Sequence, residues 1–104
     1  NDQNYAESFI MANQGKKSRK EIYMRLISKG IDKETAERAM EECYGEEASD
    51  SAIENLMRKK RFDPMSATRE ESRKFAAYLV RKGFSYGDIR KVIQASEWTD
   101  EAEF

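Results

Sequence analysis

The chain has 104 residues, 19 basic and 20 acidic, and its charged fraction of 38% equals its hydrophobic fraction. Roughly 25% charged is usual for a globular domain, so this much charge demands surface and excludes one thick core in favour of an elongated body with several thin ones. The net charge of −1 gives no whole-molecule argument for a polyanion partner, and no apolar run approaches the roughly 20 residues of a membrane span.

Apolar residues recur at helical spacing in six segments, most of them bracketed by residues that start and stop helices. Tyr5, Phe9 and Ile10 share a stripe that ends at Gly15. Ile22, Tyr23, Leu26 and Ile27 follow, opened by a capping-box pair, Ser18 and Glu21, and closed by Gly30. Ala36, Ala39 and Met40 form a third segment from Asp32 to Gly45. The fourth, with Ile53, Leu56 and Met57, starts behind Ser51 and Glu54, and Pro64 stops it past Phe62. Phe75, Ala76, Leu79 and Val80 run from Thr68 and Glu71 to Gly83, and Ser85 and Asp88 open a last segment with Ile89, Val92 and Ile93. None alternates apolar and polar in the strand manner, so the fold class is all-α.

Placing Gly30 on Gly83 brings Ile22 onto Phe75, Leu26 onto Leu79, Ile27 onto Val80 and Ile31 onto Phe84. The same offset brings Ala36, Ala39 and Met40 onto Ile89, Val92 and Ile93. Two successive helices therefore repeat. The fourth helix resembles the first, with Leu56 and Met57 standing where Phe9 and Ile10 do. The simplest parse makes residues 1–14 the last helix of a truncated first repeat and 16–62 a complete three-helix repeat. Residues 65–98 are then two helices of a C-terminal repeat plus a short tail, and 99–104 an acidic tail. Such repeats must stack to bury both faces, which predicts tandem three-helix repeats in a short, curved, elongated solenoid.

Histidine is absent, which removes the commonest general base and nitrogen ligand. Cys43, the only cysteine, has no histidine to activate it and reads as a quiet, partly buried thiol; a lone cysteine and no signal-peptide pattern fit the cytosol. Glu41, Glu42, Glu46 and Glu47 lack the alternating spacing and central glycine of a calcium loop, and no glycine-rich loop cradles phosphates. No catalytic residue, metal or cofactor is expected, and the chain reads as a monomer that binds other macromolecules.

Charge is unevenly placed. Residues 32–54 are dominated by carboxylates against Lys33 and Arg38, whereas 58–91 are dominated by bases against Asp63, Glu70, Glu71 and Asp88. The candidate binding face is therefore Arg58, Lys59, Lys60, Arg61, Arg69, Arg73, Lys74, Arg81, Lys82, Tyr86, Arg90 and Lys91. Lys74, Tyr78 and Arg81 share a stripe, and Tyr86 lies one turn from Arg90. Arginines among exposed tyrosines suit a phosphate-rich or acidic surface; a solvated helix face is the plainer reading.

The stretch Arg73-Lys74-Phe75 through Tyr78-Leu79-Val80-Arg81-Lys82-Gly83-Phe84-Ser85-Tyr86, then Ile89 and Val92-Ile93, resembles the C-terminal repeat of the bacterial RecX regulators. Ser18-Arg19 through Leu26, Lys29-Gly30-Ile31, Ala52, Leu56 and Lys59-Lys60 resemble their middle repeat, and Asn4-Tyr5-Ala6 with Phe9-Ile10 the last helix of their first. The family pattern would place two more helices upstream of Asn1. The resemblance implies a non-enzymatic cytosolic regulator that binds the RecA filament on DNA within its groove. It further implies that the protein modulates, and usually limits, strand exchange, ATP hydrolysis and SOS induction, with at most weak direct DNA contact through phosphates. A rival resemblance is to the ubiquitin-associated domain, on Gly30-Ile31, Ala39-Met40 and Ala52-Ile53. Sequence-specific DNA binding by a helix-turn-helix is weaker still, because no turn carries a clear recognition helix.

Overall fold

Caps fix where most helices begin. The computed structural model describes residues 1–93, and there the chain forms α1 (Asp2–Asn13), α2 (Arg19–Ser28), α3 (Lys33–Cys43), α4 (Ala48–Lys60), α5 (Arg69–Arg81) and α6 (Tyr86–Val92). It is all-helical, as expected, while the acidic tail at 99–104 lies outside the described residues. Asn1, Ser18, Asp32, Thr68 and Ser85 each accept a backbone N–H three residues on, satisfying an orphan donor of the first turn. Only Thr68 and Glu71 complete a capping box. Glu21 turns instead to Arg25, so the box expected at Ser18 is half formed. The fourth helix starts at Ala48 rather than behind Ser51, because Ala48 and Ser49 are buried and packing extends the helix past its expected polar start.

The apolar stripes collect into two cores. One holds Ala6, Ile10, Ile22, Leu26, Ile31, Ala36, Ala39 and Met40, from α1, α2 and α3. The other holds Ala52, Ile53, Phe75, Ala76, Leu79, Phe84, Ile89 and Ile93, from α4, α5, α6 and their connections. The repeated pairs α2–α3 and α5–α6 are those the sequence offset gave. The third helix of each differs: the packed units are α1–α3 and α4–α6, rather than 16–62 followed by 65–98. Each helix pair is closed by the helix before it, and Phe9 and Leu56 only pad the core rims. In burial Ile10 matches Ile53, not Met57. The two units lie end to end in a body of 48 × 27 × 20 Å, and the radius of gyration of 15.1 Å exceeds the roughly 13 Å of a compact chain of this length.

Polar contacts join the units. Ser18, nearly inaccessible at the start of α2, accepts from Glu21 N–H at 3.1 Å and donates to the Lys82 carbonyl at the end of α5 at 2.6 Å. The Asn55 amide donates to the Gly15 carbonyl at 2.6 Å, and Gly45 N–H donates to the Gln14 side-chain oxygen at 2.9 Å. The Tyr44 hydroxyl donates to the Lys17 carbonyl at 3.3 Å and lies 3.1 Å from the Ser49 hydroxyl.

Candidate partner-binding site

The predicted basic residues fall in places with different chemistry. Lys60, on the last turn of α4, and Lys82, at the end of α5, both lie over the Tyr78 ring, at 5.2 and 5.6 Å from its centroid. Tyr78 leans on Phe75 at 5.6 Å, and Phe75 stacks on Phe62 at 4.3 Å with the rings nearly parallel. The ring quadrupoles attract the ammonium groups, so the aromatic stack holds two cations in place at the edge of the second unit. Beside it runs an open groove of about 630 Å³ between α4 and α5, lined by Lys60, Arg61, Phe62, Lys74, Phe75 and Tyr78 among others.

Arg61 stands at the rim with φ of +58°, the one left-handed non-glycine residue among those described. There it lets Phe62 N–H reach back to the Met57 carbonyl at 2.8 Å, closing α4 and delivering Phe62 to the stack. Arg58 bonds Asn55 and lines a shallower groove with Arg61, Phe62 and Pro64. Arg69 and Arg73 lie one turn apart at the start of α5. Arg81 and Arg90 are exposed, as is Tyr86 on the first turn of α6.

Other members of the set are drawn away. Lys74 pairs with Glu70 at 3.4 Å, although it still edges the groove. Lys91 pairs with Asp88 at 3.6 Å and approaches Asp50 at 4.0 Å, so its charge is spent within the second unit. Lys59 points from α4 toward the first unit, where it meets Lys16, Lys17 and Lys82 around a small cleft. Sequence reasoning left out Lys16 and Lys17 because they precede α2 by one turn and approach Lys59 only through the fold.

Around Cys43 the chemistry is quiet: burial pushes the thiol's pKa up, and the Glu7 and Glu42 carboxylates add to the rise. Among the described residues no group of histidine, cysteine and carboxylate side chains is placed to hold a metal, and no helix is long and apolar enough to cross a membrane. Of the positions on which the likeness to a ubiquitin-associated domain rests, Gly30 is exposed and the apolar ones are core residues. Ile31, Ala39 and Met40 are buried under α1, and Ala52 and Ile53 under α5 and α6.

Comparison with known proteins divides the chain where the packing does. A family model described as RecX, second three-helix domain, matches residues 1–40, and one described as RecX, third three-helix domain, matches residues 47–93. The chain is 32% identical over 94 residues to a protein named Regulatory protein RecX from Caldanaerobacter subterraneus subsp. tengcongensis, a match covering 89% of this chain and 45% of that one. It is 31% identical over 94 residues to the protein of the same name from Salmonella paratyphi C, covering 83% of this chain and 54% of the relative. The chain thus spans about half the length of these curated relatives. No solved structure matches it significantly.

Proposed function

Because the chain belongs to the RecX family of regulatory proteins, we propose that it binds the RecA recombinase filament on DNA, lies in the filament groove and limits recombination, ATP hydrolysis and SOS induction. The observation that carries this reading is the braced cationic edge of the second unit. Lys60 and Lys82 are held over Tyr78 on a stack of aromatic rings, with Arg61 and the α4–α5 groove beside them. Cations held by rings lose little freedom when they meet an acidic partner, so more of their attraction is left to stabilise the complex. The protein acts by binding rather than by turnover, as a monomer in the cytosol, and its contact with DNA is confined to phosphates.

The test is co-sedimentation with RecA filaments on single-stranded DNA at two salt concentrations, with RecA ATP hydrolysis followed in parallel. Reversing Lys60, Arg61 and Arg81 to glutamate is expected to weaken binding by at least about tenfold at low salt, or about 1.4 kcal/mol, while the helical signal is retained. Wild-type binding should itself fall steeply as salt rises. A matched reversal of Glu34, Glu37 and Glu41 to lysine is the control. Unchanged binding in the basic variant with loss in the acidic one would move the docking surface to the first unit.

A further inference from the structure

At the joint between the two units lies a small cleft of about 130 Å³ whose walls carry Lys16, Lys17, Lys59 and Lys82. The first two belong to the α1–α2 connection of the first unit, the others to α4 and the end of α5 in the second. Among the described residues none of the four pairs with a carboxylate. The one carboxylate on the cleft wall, Glu21, is taken by Arg25 at 3.0 Å. Lys74 and Lys91, by contrast, pair with Glu70 and Asp88.

Four like charges around one opening repel each other across the line where the units must stay together, and the contacts of Ser18 with Lys82, Asn55 with Gly15 and Tyr44 with Ser49 hold that line closed. An anion in the cleft turns the repulsion into attraction on both sides. The space is roughly four times the 30 Å³ or so that a water molecule occupies, which admits a tetrahedral oxyanion with some of its hydration. Ammonium groups arriving from separate elements suit the several oxygens of a phosphoryl group, each able to accept, better than the two oxygens of a carboxylate.

We propose that this cleft is a phosphate-binding site, in which one phosphoryl group bridges Lys16 and Lys17 of the first unit to Lys59 and Lys82 of the second and clamps the units together. The site shares Lys82 and Tyr78 with the cationic edge of the second unit, while Lys16, Lys17 and Lys59 belong to the cleft and not to that edge, so the test variant changes only cleft residues. Its phosphate comes either from inorganic phosphate or from the backbone of a nucleic acid.

The test is thermal denaturation of the protein by circular dichroism in inorganic phosphate, against sodium chloride at matched ionic strength. Phosphate is expected to raise the melting temperature saturably, by roughly 3 °C or more, because it binds the folded joint and not the unfolded chain. The double variant Lys17→Gln/Lys59→Gln removes one ammonium from each unit. In chloride it is expected to melt at or above the wild-type temperature, since repulsion is relieved, and the rise with phosphate should vanish. A control variant, Lys29→Gln/Lys33→Gln, should keep the rise. A short single-stranded oligonucleotide identifies the source. Stabilisation at far lower phosphate-equivalent concentration than the free ion, lost in Lys17→Gln/Lys59→Gln, assigns the site to a nucleic-acid backbone; equal potency assigns it to free phosphate. The proposal is overturned if neither probe outdoes chloride, or if either one stabilises the double variant as it does the wild type.

Discussion

Helices α2 and α5 end in the same way and are used differently. In both, a glycine with positive φ, Gly30 at +93° and Gly83 at +101°, lets the next residue fold back on the helix. Ile31 N–H bonds the Leu26 carbonyl and Phe84 N–H the Leu79 carbonyl, each at 3.1 Å, and both apolar side chains enter their cores. A Cβ at Gly30 would meet nothing within 4 Å, whereas one at Gly83 would stand 2.6 Å from the Ser18 hydroxyl and 3.2 Å from the Lys20 Cβ. The first turn is a local device. The second is also the place where the other unit touches down, so one motif serves chain reversal in one copy and domain joining in the other.

The equivalence of the two cores is tested hardest by Leu26→Ala and Leu79→Ala. Both side chains are fully buried, and each truncation is expected to cost about 2–5 kcal/mol in urea denaturation. A near-wild-type midpoint for either would break the match. The difference between the glycines is probed by alanine at each. Gly30→Ala should cost about 1 kcal/mol, from the left-handed backbone alone. Gly83→Ala should cost about 3 kcal/mol, because the collision with Ser18 is added. Equal costs would mean that the joint yields freely.

A third end, that of α4, carries Arg61 where the other two carry glycine. Arg61→Gly is therefore expected to stabilise the fold by about 1 kcal/mol, seen as a raised melting temperature, while removing a cation from the docking groove. The smallest effect concerns the matched caps of α3 and α6. Asp32 can lose its charge and Ser85 cannot. The Thr35 backbone N–H, with its side-chain hydroxyl and Arg38, holds the Asp32 carboxyl below its ordinary value. Its contribution is thus present above the ordinary aspartate range and is lost as pH falls through the lowered folded value. Asp32→Asn should flatten that acid limb in a pH series of melts, and Ser85→Asn should leave it unchanged.

Much of this was legible in the residues. Ser18, Asp32, Thr68 and Ser85 marked helix starts, and the Gly30–Gly83 offset found the repeated pairs, because caps and turns are local chemistry. The grouping into α1–α3 and α4–α6 was not, since a helix between two pairs can close either, and only the packing of Ala6 and Ile10 against Leu26 and Met40 decides. Ser51 misled for a related reason: burial of Ala48 and Ser49 outweighed a good cap. In the site, the run Arg58 to Arg61 looked uniform. A helix sends such neighbours in different directions, so Lys60 reaches Tyr78 while Lys59 turns to the seam.

The hydroxyl of Ser18 both accepts from Glu21 and donates to the carbonyl of Lys82, and that restricts which amino acids the position can hold. Of the good helix caps, ionised aspartate has no proton to give, and asparagine keeps its donor and acceptor on different atoms. Threonine adds a methyl group to a side chain that is already almost wholly buried. Positions 18 and 83 therefore form a two-letter word whose letters cannot be changed one at a time. A search of natural or designed sequences for this joint should demand the pair, serine before the second helix and glycine after the fifth, before it weighs any charge.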